Sequence, residues 1–362
     1  MRFVLTWLLL ARAASADPIA EREQEAARLE RTYAKTYAVD ALVRASALRA
    51  ALGQRAKWIA NVEHAVRLHP TKAETAVLVF ELAMTSPAHL RLYLRRFAEL
   101  GGTDREVIAH AMLGEQLWQS SCGLASTIDG LCVRMLRAHF ASCEPSRARW
   151  SLARRDTVLV RAATAELQAA VRVFELNPTQ ALTTRAAHAN AKRLLADDAL
   201  EKLIDRPLPK LNFTTRDAGK RSMGRFQSWI DAQTKQSAKV VREYEAVIAL
   251  RAPHATIAAA LRLGQRDRIF AAHLVTAALP HRLATGEFAS EKRNAFCDQM
   301  REVTEPLSAR AVDLVGTCAS KARELDVDDA WAEACRRDLT ILDPEAFPPF
   351  GEHVAKPGPL PR

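Results

Sequence analysis

Residues 287–342 read EFASEKRNAFCDQMREVTEPLSARAVDLVGTCASKARELDVDDAWAEACRRDLTIL. Leu307, Ala311, Leu314, Cys318, Ala322 and Leu325 stand three or four positions apart, the spacing of one face of an α-helix. Phe288, Phe296, Met300 and Val303 repeat the pattern before them, and Val327, Trp331, Cys335, Leu339 and Leu342 repeat it after. Three consecutive helices with one cysteine each are therefore expected. Breaks are expected at Glu305-Pro306, where proline starts a helix, and at Asp326-Val327-Asp328.

The cysteines test this reading. Six occur, as two triplets: Cys122, Cys132 and Cys143, then Cys297, Cys318 and Cys335. Six cysteines permit fifteen pairings. Positions 318 and 335 are equidistant from the turn near 326–327, and equidistant positions in an antiparallel hairpin lie side by side. Both also sit on apolar faces, so a Cys318–Cys335 disulfide is expected. Cys122 and Cys132 flank the loop Gly123–Gly130 and would close it. Cys143 and Cys297 are then left, either free or bonded to each other.

The N-terminus reads as an export signal. Arg2 precedes an apolar run from Phe3 to Ala11, and Ala14-Ser15-Ala16 fits a small-residue cleavage site. The run is shorter than the roughly 20 residues of a membrane span, and no later stretch is apolar enough to span a bilayer. Export places the cysteines in an oxidising compartment, where disulfides persist. Removal of residues 1–16 leaves 346 of the 362 residues. The formal charge of +10 rests on 52 basic residues, of which only 12 are lysine. In an exported chain that charge meets anionic envelope components rather than nucleic acid.

Hydrophobic residues make up 49% of the chain but aromatics only 6%, so alanine-rich, closely packed helices are expected. Glu21–Arg49 reads as one charged helical stretch with Tyr33, Tyr37, Leu42 and Leu48 inward. From 53 to 119, short helices alternate with Pro or Gly breaks, as in a helical repeat. Ala76, Phe80 and Ala83 match the small–large–small pattern of a tetratricopeptide second helix, although the signature residues of its first helix are missing. Residues 120–156 interrupt the array, with a helix expected from Leu131 to about Ser142 and a loop or short extended piece to Asp156. Helices resume over Thr157–Leu176 and from Pro178 to about Ile204. The tract from Asp205 to Phe213, with Pro207 and Pro209, marks a domain boundary. The expected division is a 17–204 helical-repeat region, a 213–342 helical-repeat region and a Pro-rich tail over 343–362. Within the second region a long helix should run from about Asp217 to Leu250. A further one runs from Pro253 to Gly264 and another from Asp267 to Leu279.

No catalytic signature stands out. Asp217-Ala218-Gly219-Lys220-Arg221-Ser222 lacks the upstream glycine of a phosphate loop. Cys122, Cys132, His139 and Cys143 could ligate a metal, but their spacing is wider than zinc thiolate sites use, and disulfides are favoured. Neither metal nor cofactor is expected. His64 and His69 are five apart and do not share a helix face. Asp197-Asp198 and Asp328-Asp329 read as helix caps. Arg216, Lys220, Arg221 and Arg225, with Phe226 and Trp229, form the densest basic–aromatic cluster. The cluster either grips an anionic partner or is a solvated face backing an apolar stripe.

Residues from about 212 to 348 resemble the C-terminal part of tetratricopeptide-repeat proteins from the envelopes of gliding Gram-negative bacteria. Leu211-Asn212-Phe213, Arg216-Asp217, Arg225-Phe226, Trp229, Leu261-Arg262-Leu263-Gly264-Gln265, Phe270, Phe296-Cys297-Asp298, Cys318, Trp331 and Cys335 carry the resemblance. Cys122 and Asp129-Gly130-Leu131-Cys132-Val133 add to it. The resemblance implies an exported scaffold for protein–protein contact and brings no catalytic residues. The expectation is an all-α, tetratricopeptide-like solenoid of disulfide-stapled hairpins in the periplasm or outside the cell. An envelope enzyme acting on glycan and a binder of anionic envelope polymers are the alternatives.

Overall fold

The computed structural model describes residues 18–123, 129–138, 142–204 and 206–348. The expected export signal, His139 and most of the Pro-rich tail lie outside these residues. The chain is predominantly helical and divides into two compact units, residues 1–113 with 172–179, and residues 114–171 with 180–362. The tract 206–213, read from sequence as a boundary, lies within the second unit.

In the first unit, α1 (Pro18–Thr36), α2 (Val39–Ala51), α3 (Arg55–Leu68), α4 (Ala73–Ala83) and α5 (Pro87–Arg96) each pack on the helix before. A one-turn helix α6 (Ala98–Gly101) leads into α7 (Thr103–Ser121), which continues into the second unit. The single helix expected over 21–49 is broken at Tyr37, which adopts φ 55° and is 62% exposed rather than inward. Ala76, Phe80 and Ala83 are buried, with Phe80 edge-on to Tyr93 at 5.3 Å. Ser86 caps α5 by accepting from the His89 N–H, with Pro87 at the first helical position. Arg49 holds the α1–α2 corner through two hydrogen bonds to Glu30, at 2.9 and 2.7 Å.

The second unit adds β1 (Val133–Arg137), β2 (Ala148–Leu152), α8 (Thr157–Leu176, of which residues 172–176 belong to the first unit), α9 (Leu182–Ile204), α10 (Arg216–Ala249), α11 (Pro253–Val275), α12 (His281–Ala284), α13 (Ala289–Glu324) and α14 (Ala330–Leu342). It is organised around α11, which packs against α9, α10, α13, α14 and β2. Eighteen of its 23 residues are buried, so a sequence with little amphipathic pattern is helical because neighbours cover it nearly all round.

The structure departs from three further expectations. Gly264 does not end a helix: α11 runs through it because a side chain there would strike α13. A Cβ on Gly264 would lie 2.5 Å from Val315 Cγ2 and 3.2 Å from the Ala311 carbonyl oxygen. Pro306 does not start a helix: it lies inside α13, a single helix of 36 residues. Glu302 and Pro306 are exposed, so water can take the carbonyl that proline leaves without a donor. Residues 133–137 are a strand, not a helix, because they pair antiparallel with 148–152, Met135 opposite Trp150. The residues after them, read as loop or extended, supply the partner strand.

All six cysteines are paired. Cys318–Cys335 joins α13 to α14 across a turn in which Asp326 has φ 52°. Cys122–Cys132 closes the short loop, and Cys143–Cys297 ties the hairpin to α13 with a Cα–Cα distance of 5.4 Å. The pairing of Cys122, Cys132 and Cys143 removes the thiolates that a metal site would use.

Two outcomes follow from this packing. Gly264→Ala should lower stability by about 1–3 kcal/mol, read as a fall in the urea midpoint; an unchanged midpoint would show that α11 and α13 are less closely seated. The Cys143–Cys297 bridge spans 154 residues and Cys122–Cys132 only 10. Loop-closure entropy grows with span, toward about 5 kcal/mol for the longest loops. The double variant Cys143→Ser/Cys297→Ser should therefore lower the midpoint further than Cys122→Ser/Cys132→Ser, and the reverse order would contradict this.

Candidate functional site

Arg262, at the middle of α11, is fully buried. Its Nε donates to Asp197 Oδ1 at 2.9 Å, its Nη1 to Gln265 Oε1 at 2.6 Å, and its Nη2 to the Asp129 carbonyl. Asp197, also at 0% exposure, accepts from Arg193 Nη1 and from the Tyr244 hydroxyl, each at 2.6 Å. Gln265 Nε2 donates to Asp129 and Asp338 at 2.9 Å each, and Arg337 donates to both Asp129 carboxylate oxygens. The Trp331 ring takes Arg193 at 4.9 Å and Arg262 at 5.1 Å, a cation–π arrangement. One network thus joins α9, α10, α11, α14 and the end of the disulfide loop.

A second network sits beside it. Glu201 accepts from the Cys132 N–H at 2.7 Å and from Arg155 Nε and Nη2 at 2.6 Å each. Arg155 also donates to the Trp118 carbonyl and Ser121 Oγ at 2.8 Å, with its guanidinium 3.9 Å from the Trp118 ring centre. Arg262, Gln265, Trp331, Asp129 and Cys132 therefore converge on buried polar structure. Asp197 is not a helix cap. It lies inside α9 and anchors the network, while Asp198 faces outward and pairs with Lys202 at 2.5 Å. Asp329 does cap α14, accepting from Trp331 N and Ala332 N.

Burial alone would raise the Asp197 carboxyl. The charges of Arg262 and Arg193, with the hydrogen bonds from Arg262 and Tyr244, outweigh it and hold the group below the ordinary aspartate value. Burial, then the adjacent Asp197 carboxylate, pushes the Tyr244 phenol well above its ordinary value, so it remains a donor.

An open groove of about 570 Å³ is linked to the first network through Arg268, 3.3 Å from Asp338. Trp150, Ile269, Ala272, Val312 and Leu342 give it an apolar floor; Met135 and Ile341, 57% and 55% exposed, stand at its rim. Its charged groups are Arg147, paired with Glu144 at 3.0 Å, Arg268, 3.3 Å from Asp338, and the exposed Glu305. The groove can exclude water from an apolar side chain and present charge at its margin. Sequence reasoning missed it because its walls come from the hairpin, α11, α13 and α14, which no local pattern brings together.

The basic cluster of α10 divides. Arg216, Lys220, Arg221 and Arg225 are exposed, and Arg225 Nη2 donates to Ser222 Oγ at 3.1 Å. Trp229 does not join them: it is partly buried, stacked on Phe226 at 6.3 Å and near Phe270 at 5.8 Å. In the first unit, His64 and His69 do meet, on the Tyr33 ring at 5.4 and 5.9 Å. His69 lies past the end of α3 with non-helical backbone, so helical spacing does not govern it.

No protein-family model matches the chain, and no curated protein or solved structure is significantly similar to it.

The depressed Asp197 carboxyl stabilises the fold above the unfolded aspartate value near 3.9; that stability is lost as pH falls through the lower folded value. Asp197→Asn leaves Arg193 and Arg262 buried without their counter-charge. It should cost about 3–5 kcal/mol at neutral pH and flatten the loss of stability in acid. Urea unfolding at neutral and acidic pH checks both, and parallel curves for the two proteins would remove Asp197 from the account.

Proposed function

We propose that this chain is an exported, non-catalytic scaffold of a bacterial cell envelope, in which tetratricopeptide-like hairpins and disulfides hold a docking groove for a protein partner. The observation that carries this reading is the contrast between the groove and the buried polar networks. The networks' buried carboxylates, Asp197, Glu201 and Asp338, are all engaged by arginines, while the groove is open and mostly apolar. Hydrolysis of glycan would need two convergent carboxyl groups, about 5–10 Å apart, with one held protonated. The groove's Glu144 is paired and its Glu305 exposed, which favours docking over acid–base chemistry. Disulfides persist in oxidising compartments, and among the described residues no helix is long and apolar enough to cross a membrane.

A second reading rests on α10. Arg216, Lys220 and Arg221 are exposed and form no ion pair among the described residues. An anionic envelope polymer bound there would be released steeply by salt.

Cross-linked capture from envelope extract tests the first reading. The wild-type chain should recover a reproducible protein that is lost when Ala309→Trp fills the groove. Recovery of none, or retention by that variant, would overturn the docking role. Release of the captured material by moderate salt, and its loss in Arg221→Glu/Arg225→Glu instead, would transfer the role to α10.

A further inference from the structure

The hairpin has one covered edge and one open edge. Ala153 N donates to the Cys132 carbonyl at 2.8 Å and Ala138 N to the Arg147 carbonyl at 3.2 Å. With the register Met135 opposite Trp150, the hydrogen-bonded pairs are Arg134–Ser151 and Leu136–Arg149. Met135 and Arg137 are in the alternate, non-bonded pairs, so their N–H and C=O groups point away from β2. The outer edge of β2 is taken: His273 Nε2–H donates to the Trp150 carbonyl at 2.8 Å, and α9 and α11 pack on that strand. The Val133 side chain is buried in the core, but among the described residues no element other than β2 lies along β1, and no described group bonds the outward backbone of Met135 or Arg137.

This edge borders the groove. Met135 and Trp150 lie on one face of the hairpin and both line it. A third strand laid along β1 would send every second side chain over that face, toward the apolar floor. The hairpin's described residues carry Arg134, Arg137, Arg147 and Arg149 against the single carboxylate Glu144. Arg134 and Arg137 are exposed. Edge-to-edge pairing with a second copy would bring these arginines together, which is unfavourable. A strand carrying carboxylates would be attracted instead.

We infer that the open edge of β1 accepts an extended acidic segment of a partner protein as a third strand, its alternate apolar side chains entering the groove. Main-chain hydrogen bonds would give affinity, and the groove and arginines would select sequence. The inference rests on the docking role proposed above and specifies how the partner is held.

The test uses the full chain and a short fluorescein-labelled peptide alternating glutamate and leucine, read by fluorescence anisotropy. The wild-type protein should bind it and should not bind the lysine–leucine counterpart. Met135→Ala, which removes the rim side chain alone, is the control; Met135→Pro removes in addition only an outward N–H, a position where an edge strand tolerates proline. It should weaken binding by about tenfold or more while the urea midpoint is kept. Should that variant unfold, peptides N-methylated at alternate residues replace it: one set should lose binding and the other keep it. In the complex, hydrogen exchange at the Met135 and Arg137 amides should slow. No binding by the wild-type chain, equal binding by a folded Met135→Pro, or indifference to N-methyl position would overturn the inference. Self-association abolished by Met135→Pro would assign the edge to a second copy and overturn it too. An envelope partner captured equally by wild-type and Met135→Pro would remove the edge while leaving the scaffold role. Peptide binding with no captured partner would do the opposite.

Discussion

The contact on which the second unit depends is the buried pair of Arg262 and Asp197. Two charges at 0% exposure are tolerable only when every polar atom finds a partner, and the surrounding chain meets that demand. Tyr244 comes from α10, Arg193 from α9, Gln265 from the next turn of α11, and Asp129 from the disulfide loop. Each of these groups can be satisfied in only one arrangement of the four segments. Apolar burial drives the helices together, but it does not choose among similar packings of alanine-rich faces. The directional bonds around Asp197 make that choice.

Small residues permit the arrangement. Gly264 lets α13 approach α11 to the point where Val315 fills the space a methyl group would need. Gly114 does the same where Leu167 approaches α7. Ala258, Ala259 and Ala271 are fully buried along α11. Close helix approach raises the number of atomic contacts per residue, which offsets the shortage of large aromatic side chains. It also brings α11 guanidinium groups within reach of carboxylates on α9 and α14.

Much of the helical layout was legible. α8 and α10 fall where periodicity put them, because long runs carry their own pattern. The Cys318–Cys335 pair was readable from symmetry about a turn, and the loop-closing pair from adjacency. Cys143–Cys297 was one of two alternatives left by elimination, since only the tertiary fold brings its partners together. Local stop signals misled wherever packing overrode them: Gly264 serves close approach, and Pro306 is accommodated on a wet face. The strand at 133–137 was invisible because its residues suit a helix equally well and only a partner strand decides between them. Of the candidate site, the exposed cations of α10 were legible as a cluster. Trp229 was misassigned to it, and the groove could not be read, since four separate segments form its walls.

The sulfur bridge from Cys143 to Cys297 has a mechanical corollary. It makes the intervening chain, from β2 through α8, α9, α10, α11 and α12, a closed covalent ring. Tension applied to the two ends of the polypeptide passes through the sulfurs and bypasses that ring, so those elements cannot be drawn out lengthwise until the bridge is cut. Under such a pull the central rods stay unstretched, while α1 to α7 and α14, lying outside the ring, would bear the load.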